Sequence, residues 1–370
     1  MRIVLIEPYF SGSHKLWASG LKQYSNHKIE IISLPGKYWK WRMRGGAITL
    51  ANEFMELDYN PDLVLVTDML DLTTFLSLTR SRSYKLPIAI YFHENQLSYP
   101  WSINDRDLQK KRDRQYGFIN ISSALAADHV LFNSNYHYKS FQNEGLKFLK
   151  NFPDRNELDV MQKIQRKSEV LYLGMDLSKF DKYKTLAKHE PLIVWNHRWE
   201  YDKNPELFFK VLFELYNEKI DFKLIVLGES YNNYPEIFDI AKNKLDKNII
   251  HFGYCESQEE YIKYLKSANI LPVTSNQDFF GISIVEAVSY GAYPILPNKL
   301  SYPELFNYSL NPHLFYKNDI ELKDKLISAI KNFKLNNDKI FNLSKNIYNK
   351  FNWKNISKKY DDTFEKLATN

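Results

Sequence analysis

At 370 residues the chain is long for one core and sufficient for two domains, and a composition that is 44% apolar and 25% charged excludes a disordered protein. No run approaches the roughly 20 apolar residues that cross a bilayer, and Glu7 interrupts the opening apolar run too early for a signal peptide. The single cysteine, Cys255, excludes an intramolecular disulfide and a cysteine-based metal site and fits a reducing cytoplasm, while the net charge of +6 permits an anionic partner without demanding one.

In chain order, short apolar or β-branched runs at Arg2 to Glu7, Lys28 to Leu34, Leu63 to Thr67, Pro87 to Phe92, His129 to Asn133 and Glu169 to Leu173 read as strands, with longer amphipathic or polar segments between them. Runs this continuously apolar suit parallel strands covered on both faces. After a polar stretch from Asp176 to Glu190 the series restarts: Pro191 to Asn196, Phe222 to Gly228, Ile249 to Phe252, Asn269 to Val273, Ala292 to Leu296 and a weaker run at His313 to Tyr316. Helices are expected at Pro205 to Asn217, Ser257 to Ser267, Ile320 to Phe333 and, last, about Trp353 to Leu367. The fold class is therefore α/β with two Rossmann-like, doubly wound domains, over 1–175 and 176–350, and a terminal helix over 351–370 that is expected to cross back to the first. A ligand is expected beyond the carboxyl ends of the strands, in the cleft between the domains.

The densest chemistry lies at Asp278 to Glu286. Two carboxylates eight positions apart flank Phe280, Gly281 and Ile282, a pattern that suggests a loop opening into a buried helix and two hydroxyl-binding groups for one sugar nucleotide. A lone carboxylate in the apolar run around Glu286 is costly without a partner, and a ribose diol supplies one. The alternative is Asp278 as a helix cap and Glu286 as an ordinary helical residue. Arg198 and Lys203 fall between a strand and a helix, where a guanidinium, an ammonium and the helix terminus hold a diphosphate; otherwise they are two solvated loop cations.

In the first half, Ser11, Gly12, Ser13 and His14 follow the opening strand, small residues that let backbone amides approach a phosphate, with Ser13 as a plain cap the alternative. His93, Glu94, Asn95 and Gln96 form a polar quartet at another strand end, and His93 is a candidate for contacting the sugar. No second histidine stands at ligand spacing, so no metal is expected there. Lys37, Trp39, Lys40, Trp41, Arg42 and Arg44 interleave cations and aromatics on a loop bounded by glycines, a composition suited to a nucleic-acid or nucleotide acceptor. The basic run from Arg106 to Arg114 reads as a solvated helix face, and Asp68 and Asp71 as helix caps rather than metal ligands or bases.

Gly12, Tyr172 to Phe180, Arg198 with Lys203, the Asp278 to Glu286 pair and a terminal helix carrying Trp353 together resemble the GT-B glycosyltransferases, specifically the retaining family four of the sequence-based classification. That family usually has Glu where this chain has Asp278. Ile6 to Lys15, Leu34 to Gly46 and Tyr91 to Trp101 are long, unusual strings similar to those of the tRNA-queuosine alpha-mannosyltransferase family, whose members use GDP-mannose to glycosylate the queuosine base at the wobble position of tRNA-Asp.

The resemblance implies retaining transfer without a metal ion and with no cofactor beyond the GDP-mannose donor. It implies that Arg198 and Lys203 stabilise the departing diphosphate, Glu286 holds the ribose, and Asp278 with Gly281 holds the mannose. Phe280, Ile282 and Gly12 complete the donor contacts and His93 meets the sugar. His14, Glu94, Asn95, Gln96 and the residues from Lys37 to Arg44 meet the tRNA. Two other readings stay open: a family-four transferase acting on a lipid or glycan, and a non-catalytic tRNA- or nucleotide-binding protein on the same fold. The first needs an apolar basic helix for membrane docking, and the 106–114 run is too charged for it.

Overall fold

The computed structural model describes residues 1–101, 107, 115–177, 190–230, 234–334 and 337–369. The chain divides into two units, Met1–Asp176 with Phe351–Asn370 and Leu177–Lys350. The first begins with β1 (Arg2–Phe10), α1 (Gly12–Tyr24), β2 (Lys28–Pro35), α2 (Trp39–Met55), β3 (Leu63–Thr67), α3 (Leu72–Ser83) and β4 (Ile88–Phe92). It continues with α4 (Gln115–Ala126), β5 (His129–Phe132), α5 (Asn135–Leu149), α6 (Asp159–Arg166) and β6 (Ser168–Val170). All six strands pair in parallel in the order β2-β1-β3-β4-β5-β6. Val64, Val66, Ile88, Ile90, Val130 and Phe132 are buried in one apolar core with Ala47, Leu50 and Phe54 of α2, which is why these strands are apolar along their whole length. The order reverses direction between β1 and β3, so the loops that follow those two strands diverge there.

The second unit holds β7 (Leu192–Trp195), α7 (Pro205–Asn217), β8 (Lys223–Val226), α8 (Ile237–Lys244), β9 (Ile249–Phe252), α9 (Gln258–Ser267) and β10 (Ile270–Pro272). Then come α10 (Ile282–Ser289), β11 (Tyr293–Pro297), α11 (Tyr302–Leu305), β12 (Phe315–Tyr316), α12 (Asp319–Lys331) and α13 (Asn337–Phe351). This sheet is also parallel, in the order β12-β11-β10-β7-β8-β9, and its reversal lies between β10 and β7.

The strands fall where the apolar runs place them, to within three residues at either end. Two local expectations change. β1 continues to Phe10, so Ser11 alone turns the chain and Gly12, at φ +48°, already opens α1. The basic and aromatic segment is not a loop: Trp39 to Arg44 form the first turns of α2. Gly45 and Gly46, which read as breakers in sequence, are helix-interior contacts. A Cβ on Gly45 would lie 2.5 Å from the Trp41 ring, and one on Gly46 would pack at 3.6 Å on Leu34 and Pro8. Buried Met43, Ala47, Leu50, Ala51 and Phe54 carry the helical period through both glycines.

The last helix, α14 (Trp353–Thr369), completes the first unit. Its buried residues Trp353, Ile356, Tyr360, Phe364 and Leu367 recur at three- and four-residue spacing and make one apolar stripe. The Tyr360 hydroxyl accepts from Trp17 Nε1 at 3.1 Å and donates to the Tyr172 carbonyl at 2.9 Å, while Asp361 accepts from Ser25 Oγ at 2.6 Å and the Asn26 amide at 2.9 Å. Trp353 lies between two glycines: a Cβ on Gly20 would meet its Nε1 at 2.0 Å, and one on Gly174 its ring at 2.5 Å. Because that indole is fully buried and has no room to retreat, Gly20→Ala should destabilise the first unit by about 1–3 kcal/mol in urea unfolding. An unchanged midpoint would show that α14 is not held by this contact.

Candidate functional site

In the second unit the polar side chains gather in the loops after β7 and β10, the two strands at the sheet's reversal. After Trp195 the chain passes through His197 and Arg198 into a 3₁₀ turn, Tyr201–Lys203, and Asn204 then caps α7 by accepting from the Leu207 amide at 3.3 Å. Gly228, at φ +113° after β8, makes room for this loop, because a Cβ there would lie 1.9 Å from the His197 carbonyl oxygen.

Lys203 is not a loose loop cation. It is only 8% exposed, and its ammonium donates to Asp278 Oδ1 at 2.9 Å and the Gln277 carbonyl at 2.9 Å, with Asp202 Oδ2 at 3.0 Å. Asp278 in turn accepts from the Tyr302 hydroxyl. Burial alone would raise the Asp278 carboxyl, but Lys203, His197 and the Tyr302 hydroxyl outweigh it and hold its pKa below the ordinary value. Burial works equally against the charge on Lys203, and Asp278 and Asp202 outweigh it in the other direction. Removing one partner from a buried pair costs about 3–5 kcal/mol, so this pair is a strut. It also answers the capping alternative, since Gly281 at φ +86° is the N-cap of α10 and no side chain bonds the helix terminus. The first amides of α10 are thereby offered to an anion.

Arg198 is the exposed cation of the loop, paired with Glu200 at 3.2 Å. A surface pair of this kind is worth little and exchanges readily for a phosphate. Burial lowers His197 to about 4; its Nδ1 lies 3.0 Å from Ser283 Oγ, and its buried Nε2 has no partner among the described residues. Phe280 is buried, so its side chain is core, while Ile282 is half-buried on the first turn of α10. Glu286 accepts from the Tyr261 hydroxyl at 2.8 Å, and burial pushes its carboxyl up to about 7.

In the first unit the equivalent positions are the ends of β1, β3 and β4. Glu7, buried within β1, accepts from the Tyr9 amide at 2.8 Å and pairs through Oε2 with His14 Nδ1 at 3.1 Å. Burial opposes the charge on His14, but Glu7, with Asp68 and Glu94, raises it to about 9, so His14 is an imidazolium at neutral pH. His14 is thus turned inward from α1 onto Glu7.

His93 lies against it, 7% exposed, with its backbone amide donating to Asp68 Oδ1 at 2.7 Å and its carbonyl accepting from Asn133 Nδ2 at 2.9 Å. Burial and the neighbouring His14 and His137 keep the His93 ring well below its ordinary pKa, hence neutral. Among the described residues Glu7, His14 and His93 each bring a side-chain atom within 4.8 Å of the others, so the second histidine that local spacing does not offer beside His93 comes from α1.

Asp71 caps α3 by accepting from the Thr74 amide at 3.1 Å, as expected; Asp68 does not cap. It is buried beside His93, and desolvation, reinforced by Glu94 and Glu7, raises its carboxyl to about 8. Of the polar quartet, Asn95 turns its amide oxygen onto the Leu97 and Ser98 amides and so forms the loop, and Gln96 Nε2 donates to Glu94 Oε1 at 2.8 Å.

On α2, Lys40 pairs with Asp107 at 2.6 Å, Arg42 Nε donates to the Pro35 carbonyl at 3.1 Å, Arg44 donates to Gln115 Oε1, and Trp39 packs on Tyr116. Lys37, Tyr38 and Trp41 face solvent, Tyr38 78% and Trp41 61% exposed. Apart from Asp107, the 106–114 run lies outside the described residues.

Compared with known proteins, residues 2–175 match the family described as tRNA-queuosine alpha-mannosyltransferase N-terminal, and residues 178–347 match glycosyl transferases group 1. A tRNA-queuosine alpha-mannosyltransferase of Drosophila melanogaster is 38% identical over 314 residues, covering 82% of this chain and 81% of the fly protein. The chain belongs to the tRNA-queuosine alpha-mannosyltransferase family. As a member of it the chain is a glycosyltransferase.

Solved structures agree on the fold. The sucrose-phosphate synthase of Thermosynechococcus elongatus superposes with a TM-score of 0.71 at 12% identity, covering 99% of both chains, and HepE of Anabaena in complex with UDP gives 0.65 at 15%, covering 99% of this chain and 100% of that one. The two parallel sheets of the mannosyltransferase family member are thus of the GT-B class.

One residue of this site sets a pH dependence. Glu286 has a folded pKa of about 7 against an ordinary 4.5, so the folded protein binds its proton more tightly than the unfolded chain and stability falls as pH climbs through that interval. Glu286→Gln, which mimics the protonated acid, should raise the thermal midpoint at pH 8 and leave it nearly unchanged at pH 4. A midpoint that drops at pH 8 would contradict the assignment.

Proposed function

We propose that this protein transfers mannose from GDP-mannose to the queuosine base of a tRNA, with retention at the anomeric carbon and without a metal ion. What carries the reading is the match of residues 2–175, the part in which the acceptor is expected to bind, to the N-terminal part of the queuosine family. The same unit supplies Lys37, Tyr38, Trp41 and Arg44, cations and aromatics at the start of α2 that suit phosphate contact and base stacking. We place the enzyme in the cytoplasm with its tRNA; among the described residues no helix is long and apolar enough to cross a membrane.

The chemistry assigned to each side chain follows from its charge. Loss of mannose builds negative charge on the departing diphosphate. Arg198, released from Glu200, and the uncapped amides of α10 take up that charge. Lys203 already has three oxygen partners and acts chiefly by holding Asp278 and the 278–281 loop for the sugar. The carboxylate of Glu286 accepts from the ribose diol, and the neutral His93 ring pairs with a sugar hydroxyl. The acceptor hydroxyl attacks the face that the phosphate leaves, and the phosphate oxygen takes its proton, so no separate base is required.

Incubation with GDP-mannose and queuosine-containing tRNA, followed by mass spectrometry of the released nucleosides, should show a hexose-sized gain on queuosine. Turnover should persist in EDTA and fall about a hundredfold in Arg198→Ala. Transfer to a lipid or glycan instead, or tRNA binding without transfer from any nucleotide sugar, would replace this function with one of the two alternatives.

A further inference from the structure

The His93 ring centroid is 4.2 Å from that of His14, the two planes tilted by 36°, with Trp17 edge-on at 4.7 Å and Tyr91 at 4.9 Å. Its Nδ1 and Nε2 are both buried, and neither meets a partner among the described residues. A buried polar atom left unpaired costs roughly 1–3 kcal/mol, so a ring that keeps two is shaped for a ligand that pairs them. Its immediate surroundings are titratable. Facing His14 are Glu7 from β1, Asp68 after β3 and Glu94 after β4; facing His93 are the cation on His14 and, from α5, His137. Two imidazoliums at this separation would repel one another, and the carboxylate of Glu7 decides which ring holds the proton.

We propose that Glu7 and His14 are positioning residues that act through His93: their ion pair fixes the neighbouring ring and keeps a second proton off it, so that His93 offers an N–H from one ring nitrogen and a lone pair from the other, one of them to a sugar hydroxyl. This rests on the reading that His93 meets the transferred sugar. Sequence alone conceals the arrangement, because Glu7, His14 and His93 stand at the ends of different elements and meet only when β1 and β4 lie in one sheet.

Nitrogen-15 NMR of histidine-labelled full-length protein tests it without turnover, each signal being assigned by its loss in a single substitution. In the parent, His14 should be doubly protonated at pH 7.5 and titrate near pH 9, and His93 should be neutral from pH 6 to 8. Glu7→Gln keeps an acceptor for the Tyr9 amide and removes only the charge. It should lower the His14 titration, shift the His93 nitrogens, and reduce kcat about tenfold to a hundredfold with the KM for the nucleotide sugar held.

Glu7→Asp should recover most of the rate, which a merely structural role would not predict. If Glu7→Gln fails to fold, His14→Gln carries the same expectation, with His93 titrating closer to an ordinary histidine. A neutral His14 in the parent, His93 signals indifferent to both substitutions, or full turnover in Glu7→Gln overturns the proposal. Failure of the parent to modify queuosine, with the NMR result intact, overturns the acceptor assignment instead.

Discussion

A parallel strand covered on both faces cannot carry exposed chemistry along its length, and the rest of this structure depends on that constraint. Val64 to Val66, Ile88 to Phe92 and Ile193 to Trp195 are fully or almost fully buried, so polar groups are driven to the strand ends. At the carboxyl ends, where the chain order of each sheet reverses, two loops diverge and leave room for side chains to converge. Glu7 is tolerated inside β1 only because it lies near such an end and meets His14.

The two units solve the problem of buried charge differently. In the second, an ammonium and a carboxylate neutralise one another at 2.9 Å, and the exposed guanidinium of Arg198 is left on a weak surface pair. Rigid support and exchangeable contact are thereby divided between two neighbouring cations, which the spacing of Arg198 and Lys203 does not reveal. In the first unit the charge is held on the Glu7 and His14 pair, and the His93 ring packed against it stays neutral.

Strands were legible because their signal is local: a run of β-branched residues reports burial on both faces wherever it occurs. The Asp278 to Glu286 element was legible for the same reason, being loop and helix in one stretch. The start of α2 was misread because Gly45 and Gly46 announce a turn locally, whereas their role, close approach to Trp41, Leu34 and Pro8, is set by packing. Asp68 and Asp71 look alike in sequence; only the backbone decides that Asp71 caps α3 and that Asp68 is buried beside His93. Tyr302 and Tyr261, which hold Asp278 and Glu286, are ordinary aromatics until the chain folds to bring together partners 24 and 25 positions apart.

Trp353 and Tyr360 bear on how the protein is made. The first unit is discontinuous, its opening 176 residues joined by the segment from Phe351 onward, and the indole between Gly20 and Gly174 is part of its interior. A ribosome emits chain from the amino terminus, and domains generally form in that order. Here the earlier unit lacks its final helix until the later one has been synthesised in full, so a nascent chain arrested before α14 carries an open apolar face where Trp17 and Leu21 belong under cover. Maturation of the amino-terminal unit thus waits for a segment translated after the second unit.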